Sequence, residues 1–327
     1  MGLYRSIGGR TVVAAVVVAL GVFVTHAPAG AADALRFGKG FPSLFQFTPI
    51  DVGVQEGIFK KHGLDIEISA FAGDAKLQQA FAAGAVDIGV GSGPGMAFIA
   101  KGSPILGVAE EAGPPLGITL CVLASSPIHS IADLKDKLAS ISSIGSQTDW
   151  MVRELARRQG WGPEGIKRVA LGDVPGQLSA LRTHQIDMVP FDITTAYQLN
   201  ETGEVRILLK FGDVVTEYVN HVIFASNDLM TKRPDDVKKF LAAWFETVAF
   251  FKRNKAEVVR ISSGVLKIPE SVVGKVYDET IPMLSDDGRF DPKGLAVLAQ
   301  SFVDMNTLPE KPDMSKLYTE KFLPAAK

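Results

Sequence analysis

The chain has 327 residues, of which 46% are hydrophobic and 21% charged, with a formal charge of −2. That length fits roughly two domains with sizeable buried cores, which excludes a disordered or fibrous chain. No block of clustered Lys and Arg is present to neutralise phosphates, so nucleic acid is not an expected partner.

At the N-terminus, Arg5 and Arg10 precede the uncharged run "TVVAAVVVALGVFV" (11–24) and then the small residues of "THAPAGAADA". This is the order of a secretory signal peptide. The apolar run is short against the roughly 20 residues needed to span a bilayer. Residues 1–32 are therefore expected to be a signal peptide removed after Ala31 or Ala32, leaving an exported chain that begins near Asp33. Cys121 is the one cysteine. It lies too far from the leader to carry a lipid and has no partner for an intramolecular disulfide.

From Asp33 to about Leu209, short apolar, β-branched runs alternate with helical ones, the pattern of an α/β fold with a largely parallel sheet. Strands are expected near 35–39, 64–69, 86–90, 105–109, 118–124, 139–143, 167–171, 186–189, 205–209 and 219–225. After Asn227 the apolar spacing becomes helical, in 235–266, 269–281 and 292–305. An internal repeat organises the earlier part: "GDAKLQQAFAAGAVDIGVGSGPGMA" (73–97) aligns at an offset of 100 residues with "DVPGQLSALRTHQIDMVPFDITTAY" (173–197). Ala80 falls on Ala180, Val86 on Ile186, Asp87 on Asp187 and Ile88 on Met188. The matched stretches "GITLCVLASS" (117–126) and "YVNHVIFASN" (218–227) then read as two crossings of a hinge. Lobe I is expected to comprise 33–118 with 222–327, and lobe II 119–221.

In open α/β sheets ligands bind beyond the carboxyl ends of strands. The loops there are "GKGFPSLFQF", "GVGSGPGM", "SSIGSQTDW" and "VPFDITT". Helix starts in the second and third would offer amides to an anion or an acceptor oxygen, although Ser and Thr at such places commonly act as N-caps. Neither loop carries a dinucleotide fingerprint or a P-loop. His62, His129, His184 and His221 lack metal-ligand spacing, and Cys121 in its apolar run reads as a buried structural thiol. No catalytic residue, metal or cofactor is expected.

The segments "DVGVQEGIFKKHGLDIEI" (51–68), "AFAAGAVDIGVGSG" (80–93) and the "DIT" after "IDMVPF" (186–194) resemble the periplasmic substrate-binding proteins of ATP-driven importers, in the branch of nitrate, alkanesulfonate, taurine and thiamine-precursor binders. The resemblance runs over nearly the whole mature chain. It implies an α/β, type II periplasmic binding protein fold of two lobes joined by a two-stranded hinge with a helical C-terminus. It also implies a monomeric, non-enzymatic receptor that hands a small molecule to a membrane permease and its ATPase. The ligand is placed against Phe41, Phe45 and Gln46, Ser92 and Gly93, Ser146, Gln147 and Thr148, and Phe191 and Asp192. In this picture Phe41, Phe45 or Phe191 covers an apolar part of the ligand, at least one of Phe41, Phe45 and Phe47 packs into lobe I instead, and the Ser146–Thr148 loop binds a polar acceptor group. None of the four loops contains the Arg that often holds a buried sulfonate or carboxylate; Lys39 is the nearest cation. The expected ligand is an organic anion, such as a sulfonate or aromatic carboxylate, held by amides. The alternatives are a pyrimidine or amine ligand meeting Asp192, an enzyme of the same fold, and a ligand sensor.

Overall fold

In the computed structural model, which describes Gly2 and residues 34–325, ten strands form close to where the sequence places them. They are β1 (Leu35–Lys39), β2 (Ile66–Ala70), β3 (Ile88–Ser92), β4 (Ile105–Ala112), β5 (Ile118–Leu123), β6 (Leu138–Ile141), β7 (Lys167–Ala170), β8 (Val189–Asp192), β9 (Val205–Lys210) and β10 (His221–Ser226). The expected signal peptide and its cleavage site lie outside the described residues.

The first sheet has the order β2-β1-β3-β10-β4, and β8-β5-β9 form a second. The parallel pair β6-β7 joins the second through a bridge between Ala139 and Met188. The sheets are mixed rather than largely parallel. β1 runs parallel to β2 and β3, but β10 is antiparallel to β3 and β4, and β5 is antiparallel to β8 and β9. The reason is topological. A parallel neighbour needs a crossover back to the opposite end of the sheet. β5 and β10 instead enter directly from the other sheet, through residues 113–117 and 211–220, at the carboxyl ends of the strands already there. The chain thus passes between the sheets twice, and the strands expected as the hinge are the ones each crossing leads into.

The repeat read from the sequence is a repeat in space. Helices Asp74–Ala82 and Val174–Arg182 are offset by 100 residues, and each ends in a turn through a left-handed residue, Gly84 at φ 66° and His184 at φ 54°. The acids that follow do the same work. Asp87 accepts from the Arg36 amide at 3.0 Å, and Asp187 accepts from the Leu138 amide at 2.8 Å. Each ties its strand to the neighbouring one.

The C-terminal third is helical, with helices Pro234–Arg253, Lys255–Leu266, Glu270–Thr280 and Pro292–Asp304. The first of these has Pro234 at its start, Asp235 and Asp236 in its first turn and Lys252 and Arg253 in its last, as the helix dipole favours. It covers the first sheet, where the Phe37 ring stacks against Phe240 at 5.6 Å and Trp244 at 6.0 Å. The 292–304 helix belongs to another core, shared with helix Gln147–Arg158, in which Trp150 stacks on Tyr218 at 5.0 Å.

Candidate ligand-binding site

Three of the four loops meet on the residues Asn220 and His221, where the second crossing enters β10. Gly93 donates its amide to the Asn220 carbonyl at 2.7 Å, and Ser92 lies directly opposite His221 in the antiparallel pair. The Phe47 ring stands edge-on to the His221 imidazole at 4.8 Å. From the second sheet, the Gln147 side-chain amide donates to Asn220 Oδ1 at 2.8 Å. The fourth loop joins through the other crossing, since Ile193 donates to the Gly117 carbonyl at 2.9 Å, and Gln46 lies on Gly117 so closely that a Cβ there would stand 2.3 Å from Gln46 Nε2.

The candidate residues divide by what already engages them. Phe45 is buried in the first core, tilted against Phe251 at 5.5 Å and edge-on to Tyr277 at 6.2 Å, so its ring packs inside rather than lining a cleft. Phe191 likewise is buried with Cys121, Leu178 and Val205. Alternation explains both: a side chain on a strand or tight turn that points into the core is as apolar as one that meets a ligand. Phe41 is the partly exposed ring of the loop, 6.2 Å from Phe47.

Among the polar candidates, several hydroxyls and carboxylates hold the loops in shape. Ser146 is an N-cap, accepting from the Asp149 amide. Thr148 Oγ1 lies 3.0 Å from the hydroxyls of both Ser142 and Ser146 and accepts from the Ser142 amide at 3.1 Å, which closes the loop on itself. Asp149 is buried, accepting from the Gly145 amide and from Arg153 and pairing with Arg168. Asp192 caps helix Ile193–Glu201 through the amides of Thr194 and Thr195. Ser92 donates both its amide and its hydroxyl to the part-buried carboxylate of Asp74. Burial pushes that carboxyl above its ordinary range, although the Ser92 bonds, and the imidazole of His221 when it is charged, pull the other way. Gln46 differs: it is buried, and among the described residues its side-chain amide has no hydrogen-bond partner.

Lys39 is buried and bonded to Asp51 at 2.9 Å. Burial holds the Asp51 carboxyl above its usual range, with the Lys39 ammonium opposing that shift. Cys121 is buried beside Thr119, and burial pushes its thiol up to about 12. Among the described residues no group of three His, Cys, Asp or Glu side chains is arranged to hold a metal ion.

Sequence reasoning missed Glu111, Gly117, Asn220 and the use made of His221. His221 Nδ1 lies 3.1 Å from Glu111 Oε2 and Nε2 lies 3.2 Å from Asn220 Nδ2, all three residues being buried. The available signal was the polar pair in "YVNHVIFA", since two polar residues inside a buried apolar run need partners.

The family model described as "NMT1/THI5 like" matches residues 44–257. A Brucella abortus protein named as a binding protein is 24% identical over 318 residues, covering 94% of this chain and 98% of its own. A Haemophilus influenzae protein named for thiamine biosynthesis is 25% identical over 276 residues, covering 80% of this chain and 83% of its own. Among solved structures, the periplasmic aliphatic sulphonate binding protein SsuA of Escherichia coli superposes with a TM-score of 0.76 at 18% identity, over 88% of this chain and 92% of that one.

Proposed function

The chain belongs to the NMT1/THI5-like family and has the periplasmic binding protein fold, and on that basis we propose that it is the periplasmic solute-binding component of an ATP-driven importer, capturing a small organic molecule between two lobes and delivering it to a membrane permease. The observation that carries this reading is the convergence of loops from both sheets on Gly117 and on Asn220 and His221, at the two places where the chain crosses. The lobes in this reading are 33–118 with 222–327, and 119–221. The start of the 147–158 helix already reaches the second crossing, where Gln147 bonds to Asn220, and closure about the crossings would act on that contact.

The polar groups that remain available favour a ligand held by neutral hydrogen bonds. The four loops contain no Arg, and Lys39, the one cation among them, already has its carboxylate. An organic anion would rest on amides alone, whereas a heterocycle or amide-like molecule fits Gln46 and Gln147 with Phe41 beside its apolar part. The Haemophilus relative's name supports keeping a thiamine-precursor-like molecule in view beside sulfonates. An enzyme of the same fold is the weaker reading, because both nitrogens of His221 are engaged and the Cys121 thiol is buried.

A thermal-shift screen of sulfonates, aromatic carboxylates, pyrimidines and amines on the mature chain tests the proposal. A ligand at 100 times its dissociation constant adds about 2.7 kcal/mol of stability. Replacing Gln46 or Gln147 by Met should remove most of that gain, and binding unchanged in both variants would place the site elsewhere.

A further inference from the structure

A chain of hydrogen bonds, buried as far as Asn220, runs from the first sheet to the second: Glu111 Oε2 to His221 Nδ1, His221 Nε2 to Asn220 Nδ2, and Asn220 Oδ1 to the part-buried Gln147 Nε2. With the Asn220 and Gln147 amides oriented as they stand, its direction follows from each group. An amide NH2 only donates, so His221 Nε2 must accept and the imidazole must carry its proton on Nδ1, toward the Glu111 carboxylate. Asn220 then shows its oxygen to Gln147, which gives its own NH2 to the bond. Among the described residues no donor reaches Gln147 Oε1.

We propose that the Glu111–His221 pair sets, through Asn220, which atom of the Gln147 amide is left to meet a ligand: an acceptor when the pair holds one proton, a donor when it holds two. The second proton comes from solvent and binds Nε2. Nε2–H must then donate, so the Asn220 amide turns over to accept it and directs its NH2 at Gln147. The Gln147 amide turns in response, accepting through Oε1 and freeing Nε2. No bond in the chain is lost, and the atom offered to the ligand changes sign. The inference rests on the reading of this site as the ligand cleft, and makes His221 a positioning residue that acts through Gln147.

The surroundings suit a proton held at this pair. Glu111 is buried, and its second oxygen, Oε1, has no partner among the described residues. Burial pushes its carboxyl above the ordinary range while His221 pulls it down. Asp74, reached across Ser92 from the 74–82 helix, also interacts with His221 through space. Glu110, next along β4, is engaged by the Asp291 amide at 2.8 Å. From the other elements packed here, the 45–47 turn contributes the uncharged ring of Phe47 and the 147–158 helix contributes Gln147. Among the described residues, Glu111 therefore contacts the imidazole directly and Asp74 lies across Ser92 from it.

Nitrogen-15 spectroscopy of the ligand-free protein at about pH 8 and about pH 5 tests the switch without any ligand. At the higher pH, Nδ1 should be protonated and Nε2 should be an acceptor. On acidification Nε2 should gain a proton, and the side-chain NH2 signals of Asn220 and Gln147 should shift with the same midpoint. A protonated Nε2 at the higher pH, or Asn220 and Gln147 signals that ignore the His221 transition, would overturn the proposal. Asn220→Asp keeps the shape but can only accept, so it should uncouple the Gln147 signals from His221; persistent coupling in that variant would also overturn it. For a ligand found in the thermal-shift screen, affinity should change about fivefold or more between the two pH values and lose that dependence in Gln147→Met. A screen that finds no ligand counts against the cleft reading, while the nitrogen-15 signals still decide for or against the switch.

Discussion

Asp87 and Asp187 occupy the same place in two copies of one unit, each taking the backbone amide of a neighbouring strand's edge, Arg36 at 3.0 Å and Leu138 at 2.8 Å. Each also donates its own amide to its neighbour's carbonyl, Asp87 to Arg36 at 2.9 Å and Asp187 to Leu138 at 2.8 Å. Asp187→Ala should cost about 1 to 3 kcal/mol, because it strands a part-buried backbone donor. Asp187→Asn, whose oxygen still accepts, should cost less than half of that. Urea unfolding of both variants measures the difference.

Gly93 is required by close approach. A Cβ there would stand 1.9 Å from the Val219 carbonyl oxygen, which is backbone and cannot swing away. Gly93→Ala should destabilise by about 3 kcal/mol or more and displace the second crossing. Chemical denaturation reads the loss, and an unchanged midpoint would show that the crossing moves freely.

Gly117→Ala makes a different test, because the atom in the way is the end of the Gln46 side chain. Its backbone is not in the left-handed region, so the folded state should survive while Gln46 is pushed aside. The expected result is weaker ligand binding with a stability change of about 1 kcal/mol. In the Gly117→Ala, Gln46→Ala double variant the stability cost should largely disappear, as measured by thermal unfolding, since the two side chains no longer compete for one space.

Glu110 is buried, and that burial, reinforced by the nearby acids Asp291, Glu111 and Asp287 and opposed by the Asp291 amide, raises its pKa to about 7. An acid whose folded pKa is raised stabilises the fold when protonated. Its contribution is complete below about pH 4.5 and is lost as pH rises to about 7. Glu110→Gln should flatten wild-type stability across that window, and gain up to about 3 kcal/mol relative to wild type between pH 5 and pH 8. Thermal unfolding against pH checks the slope.

Cys121 should be silent to thiol reagents in the folded protein, since it is buried and its thiol is pushed up to about 12. Labelling at about pH 8 should appear only with denaturant, along the same transition as the fluorescence of Trp150 and Trp244. Rapid labelling of the native state would mean that the second sheet opens locally.

Local pattern along the chain was enough to specify the strands and helices and their repetition. Runs such as "DIGVG" and "DMVPF" specify strands because their residues suit a buried pleat, and the 100-residue offset follows from two copies of one helix–turn–acid–strand pattern. The locations of the four loops follow as well, because the ends of such strands are where an α/β unit leaves space. Which way β5 and β10 run was settled in three dimensions, since strand direction depends on whether the chain arrives through a helix or from the other sheet. The same holds for the division of the loop residues between packing and binding. Phe45 and Phe41 have the same chemistry four residues apart, yet one ring lies against Phe251 and the other stays partly exposed. The chain from Glu111 through His221 and Asn220 to Gln147 links positions 110 residues apart and then 73 residues apart. No local pattern encodes such pairings, because hydrogen-bond partners are chosen by distance in space once burial has removed water as the alternative.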